Sequence, residues 1–196
     1  MLIPATVSCA LLAATAQAEN WPQWRGPRHN STSIEKNLPA EFGPDKNVAW
    51  KVPLPGPAGS TPVVWEDNIF LTSVNDAGEL LLMCIGTDGK ERWRRTIAQG
   101  NRDVRGDEGN SASPSPCTDG KYVWAMFADG NLVCYDFQGN EIWRVDLQDR
   151  YGKFNIAFGM TATPVLDGDR LYLQLIHGEG NPETREAVVA CLDKNT

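Results

Sequence analysis

The stretch CYDFQGNEIW, opening at Cys134 and closing at Trp143, decides the fold because it recurs. CIGTDGKERW runs from Cys84 to Trp93 with the same nine-residue separation of cysteine and tryptophan, and CLDKNT opens a third copy at Cys191. Upstream of each copy a proline opens a similar apolar run: TPVVWEDNIFL at Pro62, SPCTDGKYVWA at Pro116 and TPVLDGDRLYL at Pro164. The prolines are 54 and 48 residues apart, and Trp50, Trp93 and Trp143 are 43 and 50 apart. A period of about 50 residues, built from short apolar strands and tight turns, predicts an all-β propeller of four-stranded antiparallel blades.

The second copy illustrates one blade. Strand A covers residues 113–118, and Asp119-Gly120 is a tight-hairpin signal. Strand B, residues 121–127, is aromatic and β-branched. After the turn Ala128-Asp129-Gly130-Asn131, strand C, residues 132–136, carries Cys134. Gln138-Gly139-Asn140 turns the chain into strand D, residues 141–147, with Trp143 between polar neighbours.

The C–D segment resembles the tryptophan-docking repeat A-x-D-x-x-T-G-x-x-x-W of pyrroloquinoline-quinone (PQQ)-like propellers. Cys191, Asp193 and Thr196 fall on its A, D and T positions, and Cys134, Asp136, Gly139 and Trp143 match with one residue fewer. In the first copy Gly86 stands in place of the Asp, while Gly89 and Trp93 match. The resemblance implies that Trp50, Trp93 and Trp143 pack between neighbouring blades as structural residues, and that Gly89 and Gly139 turn the backbone before them. It does not by itself imply a bound quinone.

The resemblance covers about residues 48–196. Residues 61–97 and 113–147 read as complete blades, and 161–196 as a blade without strand D. Residues 47–54 read as a D-like strand that would close the ring by pairing with the last blade. Propellers need about four to eight blades to close. The chain is therefore expected to be the N-terminal piece of a longer protein of about seven or eight blades.

Eighteen Lys and Arg against 25 Asp and Glu give a net charge of −7, which argues against nucleic-acid binding. Residues 1–18 read as a signal peptide: a small, apolar run ends in the cleavage pattern Ala16-Gln17-Ala18. That run is too short to span a bilayer, and no later segment spans one. The expected location is periplasmic or extracellular. Residues 19–46 form a lead-in, and its opening, Trp21-Pro22-Gln23-Trp24-Arg25-Gly26-Pro27, resembles that of exported, planctomycete-like bacterial PQQ-like propeller proteins. Its tryptophans are read as plugging a propeller surface. Cys84, Cys134 and Cys191 share one place in successive C strands, and Cys117 lies on strand A, beyond strand B from Cys134. That separation is roughly 9–10 Å, too far for a disulfide. All four are expected as buried free thiols.

The A–B and C–D turns are short and open on one end of the blades. The other end carries the long connections, residues 98–112, 148–160 and 177–186. Long loops on a rigid scaffold are where binding usually resides. The candidate binding face is therefore Arg102, Arg105, Tyr151, Phe154, Phe158 and His177. No catalytic, cofactor-binding or metal residue is assigned, and no vicinal Cys-Cys pair or catalytic triad arrangement is present in the sequence. The expected function is a non-catalytic exported scaffold binding a protein or other ligand on the long-loop face. It resembles the propeller lipoprotein of the outer-membrane β-barrel assembly machinery. The alternative is a quinoprotein dehydrogenase oxidising alcohols or sugars with PQQ and Ca²⁺; otherwise no cofactor is predicted.

Overall fold

The computed structural model describes residues 18–57, 59–100, 110–154, 160–176 and 187–196. The leader 1–17, Arg102, Arg105, Phe158 and His177 lie outside the described residues. No helix among the described residues is long and apolar enough to cross a membrane.

The chain forms successive blades of a β-propeller. The first sheet has the order β1 (Val63–Trp65), β2 (Asn68–Val74), β3 (Glu79–Gly86), β4 (Glu91–Gln99). The second repeats it with β5 (Cys117–Thr118), β6 (Tyr122–Met126), β7 (Asn131–Asp136) and β8 (Glu141–Asp146). A short helix, α1 (Leu147–Tyr151), follows, and the third sheet holds β9 (Val165–Asp167), β10 (Arg170–Leu175) and β11 (Val188–Asp193). Every pairing is antiparallel, and two-residue turns join β1 to β2 and β9 to β10.

The recurring cysteine–tryptophan spacing is a cross-strand pair. Cys84 lies opposite Trp93, Cys134 lies opposite Trp143, and each register shifts by a bulge at the next step. The sheets stack face to face in chain order. Val63, Phe70, Leu82 and Trp93 of the first sheet pack on Val123, Phe127, Val133 and Tyr135 of the second. The far face of the second, with Trp124, Met126 and Leu132, packs on Leu171, Leu173 and Leu192 of the third. The second sheet is therefore buried on both faces, and β6 and β7 are almost continuously apolar. By contrast, β10 alternates buried and exposed residues, as a strand with one bare face must. That bare face carries Val165, Tyr172, Val189 and Cys191.

Two expectations are corrected. Cys84, Cys117 and Cys134 are buried free thiols, but Cys191 is exposed, because nothing among the described residues packs on its side of the third sheet. Residues 47–54 pair with no strand among the described residues, and their pairing with a last blade stays an expectation. The connection after β8, read as a loop, begins with α1, capped by the Asp146 side chain accepting from the Gln148 N–H at 2.8 Å and closed by Gly152.

Candidate functional site

Each blade is fixed to the next at two places. Along the β4 and β8 edge, indoles reach forward. Trp93 Nε1 donates to the Phe137 carbonyl at 2.8 Å, and Trp143 Nε1 donates to the Lys194 carbonyl at 3.0 Å. Trp50, although outside any strand, donates to the Thr87 carbonyl of the first sheet at 2.8 Å. Each acceptor sits in a C–D turn. Gly139 and Gly89 take left-handed φ values of +79° there, and a Cβ at either would lie 2.8–2.9 Å from the ring of Trp93 or Trp50. Glycine is thus required twice over, by backbone conformation and by the indole above it.

Along the opposite edge, β1 lies against β5 and β5 against β9. The [Ser/Thr]-Pro step of each blade supplies the contact. The Thr61 N–H donates to Ser115 Oγ at 2.9 Å, and the Ser115 N–H donates to Thr163 Oγ1 at 3.1 Å. Hydroxyl and amide thereby form a ladder running from blade to blade, one step per repeat.

The C–D turns are held by carboxylates. Asp136 accepts from the Gln138 and Asn140 N–H groups at 2.9 and 2.8 Å and from Asn140 Nδ2 at 2.9 Å. Partial burial opposes its charge, but these donors win and hold the carboxyl below its ordinary range. Asp193 accepts from the Asn195 N–H at 2.9 Å and is lowered in the same way, first by that backbone bond. In the first blade, where Gly86 replaces the Asp, Asp88 takes over. A Cβ on Gly86 would lie 2.5 Å from Asp88 Oδ1, so the later carboxylate fills the space left by the missing side chain. It accepts the Lys90 N–H at 3.1 Å.

At the long-loop end, the described candidates fold inward. Gln148 Oε1 accepts the Phe154 N–H at 2.8 Å, which draws Phe154 into the core between the second and third sheets, where it is 8% exposed. Tyr151 is half-buried against the same cluster, beneath the Arg150 guanidinium. Phe154 is thus a core residue and does not line a surface, because the Gln148 amide claims the backbone that would have carried it outward. The signal for this was present in Asp146 and Gly152, a helix cap at each end of a five-residue segment.

An open cavity of about 1160 Å³ lies between the opening segment, with Gln23 and His29, the Ser115 and Thr163 steps, and the bare sheet face carrying Tyr172 and Val189. It exceeds the roughly 300–1,000 Å³ of usual small-molecule pockets. One of its walls is an uncovered sheet face, so the space has the character of a sheet-packing surface. Sequence reasoning did not find this cavity, since its walls come from segments more than a hundred residues apart.

The chemistry available is modest. Burial pushes the Cys84 thiol up to about 11, Cys134 to about 12 and Cys117 higher still, so none is a nucleophile near neutral pH. No group of three His, Cys, Asp or Glu side chains that could hold a metal ion occurs among the described residues.

A family model described as "Outer membrane protein assembly factor BamB" matches residues 40–196. Among solved structures, the chain is similar to BamB from Moraxella catarrhalis, at 17% identity and a TM-score of 0.49 over 74% of this chain and 36% of that one. It is similar to a europium-containing methanol dehydrogenase at 17% identity and a TM-score of 0.49, over 69% of this chain and 22% of that one. It is also similar to the quinohemoprotein alcohol dehydrogenase from Comamonas testosteroni at 18% identity and a TM-score of 0.51, over 71% of this chain and 20% of that one. The chain therefore spans 20–36% of the length of these structures, and the likeness is one of fold. Comparison with curated proteins gave no match.

Proposed function

The chain belongs to the family described as outer membrane protein assembly factor BamB, and from that premise we propose that it is part of an exported, non-catalytic propeller scaffold that binds a protein through its long-loop end. The family match carries this reading. The arrangement of turns supports it: the C–D turns are occupied with holding blades together, through Trp50, Trp93, Trp143 and their carbonyl acceptors. The opposite end carries the longer connections in the sequence, including those with Arg102, Arg105, Phe158 and His177. Periplasmic or extracellular placement follows from the leader pattern at 1–18.

The rival reading, a dehydrogenase using PQQ and Ca²⁺, rests on the shared propeller fold alone. The two are separated by one paired experiment. A photo-crosslinking residue is placed at position 105 or 177 on the loop end and, as control, at Gln138 in a C–D turn. In the exporting cell, the scaffold reading expects one recurrent protein adduct from the loop end and none from Gln138. Dye reduction with alcohols or aldoses by the full-length protein supplied with PQQ and Ca²⁺, without loop-end adducts, would establish the dehydrogenase.

A further inference from the structure

The opening motif, Trp21 to Pro27, has no part in the function proposed above, yet it is hydrogen-bonded to three successive blades. Trp21 pairs with β1 through both backbone groups: its N–H donates to the Val64 carbonyl at 2.8 Å, and its carbonyl accepts the Val64 N–H at 2.9 Å. The next residue, Pro22, has only a carbonyl to offer, and this accepts the Thr118 N–H of β5 at 2.9 Å. The next, Gln23, is 8% exposed, and its amide donates to the Leu166 carbonyl of β9 at 3.5 Å. Three successive residues thus contact the first strands of three successive blades.

The three contact points are equivalent. Val64, Thr118 and Leu166 each stand two residues after the proline that opens their blade, Pro62, Pro116 and Pro164. The segment crosses the blades at one level, near the A–B turns. There it satisfies backbone groups on strands that are the edges of their sheets.

The rest of the motif holds this segment in shape. Gly26 has φ +74°, and a Cβ there would lie 2.8 Å from the Trp21 ring, which packs directly on its backbone. The Gly26 N–H donates to the Gln23 carbonyl at 2.8 Å, and the Ser31 N–H donates to the Arg25 carbonyl at 3.0 Å. Glu19 pairs with Arg28 and accepts the Ile34 N–H at 3.3 Å. Asn20 Oδ1 accepts the Glu66 N–H at 2.7 Å, tying the hook to the first A–B turn.

We propose that residues 19–31 are an axial clasp: a preformed hook that sets one residue against the inner strand of each successive blade and so couples the blades across the propeller axis. The inference is independent of the scaffold reading, since it concerns how the blades are held and not what they bind.

Hydrogen exchange on the unmodified chain tests it first. The Val64 and Thr118 amides should be protected, unlike the exposed lead-in amide of Lys36; exchange at the Lys36 rate would overturn the clasp. In Gly26→Ala, whose new methyl meets the Trp21 ring, both amides should lose protection together by about tenfold or more, while Leu82 and Val133 in the central strands keep theirs. If this variant does not fold, the same amides are followed in Trp21→Ala, which removes the ring without adding a clash. Loss at one amide without the other, or at neither, would mean that the segment merely lies on the blades, and the proposal fails.

Discussion

Trp93 and Gly139 fit one another across the boundary between the first and second blades: the indole occupies the space that a side chain at 139 would need, 2.8 Å from its Cβ position. The same indole is bonded to the carbonyl of Phe137, two residues before that glycine. Gly139→Ala therefore adds backbone strain at positive φ to a steric conflict, and should destabilise the chain by about 1–3 kcal/mol. Trp93→Ala should cost about 3–5 kcal/mol through lost core volume. Because both changes break one contact, the double variant should cost less than the sum. Urea midpoints of the four proteins check this; strict additivity would show that the two residues do not act as a unit.

Asp136 makes stability depend on pH in a defined direction. Its carboxyl is held below the ordinary value of 3.8 by the donors of its turn. A group lowered on folding contributes above its unfolded pKa, and the contribution is lost as pH falls through the folded one. The stability difference between the native chain and Asp136→Asn should thus be constant from pH 7 to about 5 and close as pH falls below about 4. Denaturant titrations across that range measure it. A gap unchanged at pH 3 would assign the turn's stability to shape and not to charge.

The thiols divide by burial. In protein lacking residues 1–18, Cys191 should react with a thiol reagent at pH 8 within minutes. Cys84, Cys117 and Cys134 should react only once the chain is unfolded. Two or more fast thiols in the native state would contradict the stacking of the second sheet between the first and third.

Ser115 is both acceptor and donor in the blade-to-blade ladder, taking the Thr61 N–H and giving its own N–H to Thr163. Ser115→Ala removes the acceptor while leaving the amide, and should cost about 1–2 kcal/mol. Ser115→Thr, which is what Thr163 presents at the next step, should recover most of it. Equal loss in both variants would point to packing around Ser115 as the cause.

Much of this was legible in the sequence for one reason: what repeats is local. The distance from Cys134 to Trp143 is set by a hairpin, and Gly139 by the turn within it, so period and strand order could be read directly. What depended on distant partners could not. Cys191 matches Cys134 in every local respect, yet one is exposed and the other buried, because burial is decided by the neighbouring sheet. Asp88 stands in for the residue missing at Gly86, two positions away, through a side-chain path that alignment does not contain. Phe154 reads in the sequence as part of a binding face, and the Gln148 amide draws its backbone into the core. The contact of Gln23 with Leu166 spans 143 residues and leaves no trace in either segment alone.

The ladder and the indoles together have a geometric consequence. A plate held along one edge swings like a door; held along both, it cannot. Each blade here is pinned to the next by a hydroxyl on its axial rim and an indole on its outer rim, and the two pins differ in reach. Each described blade is therefore held in its tilt against its neighbour by contacts that recur within the repeat itself.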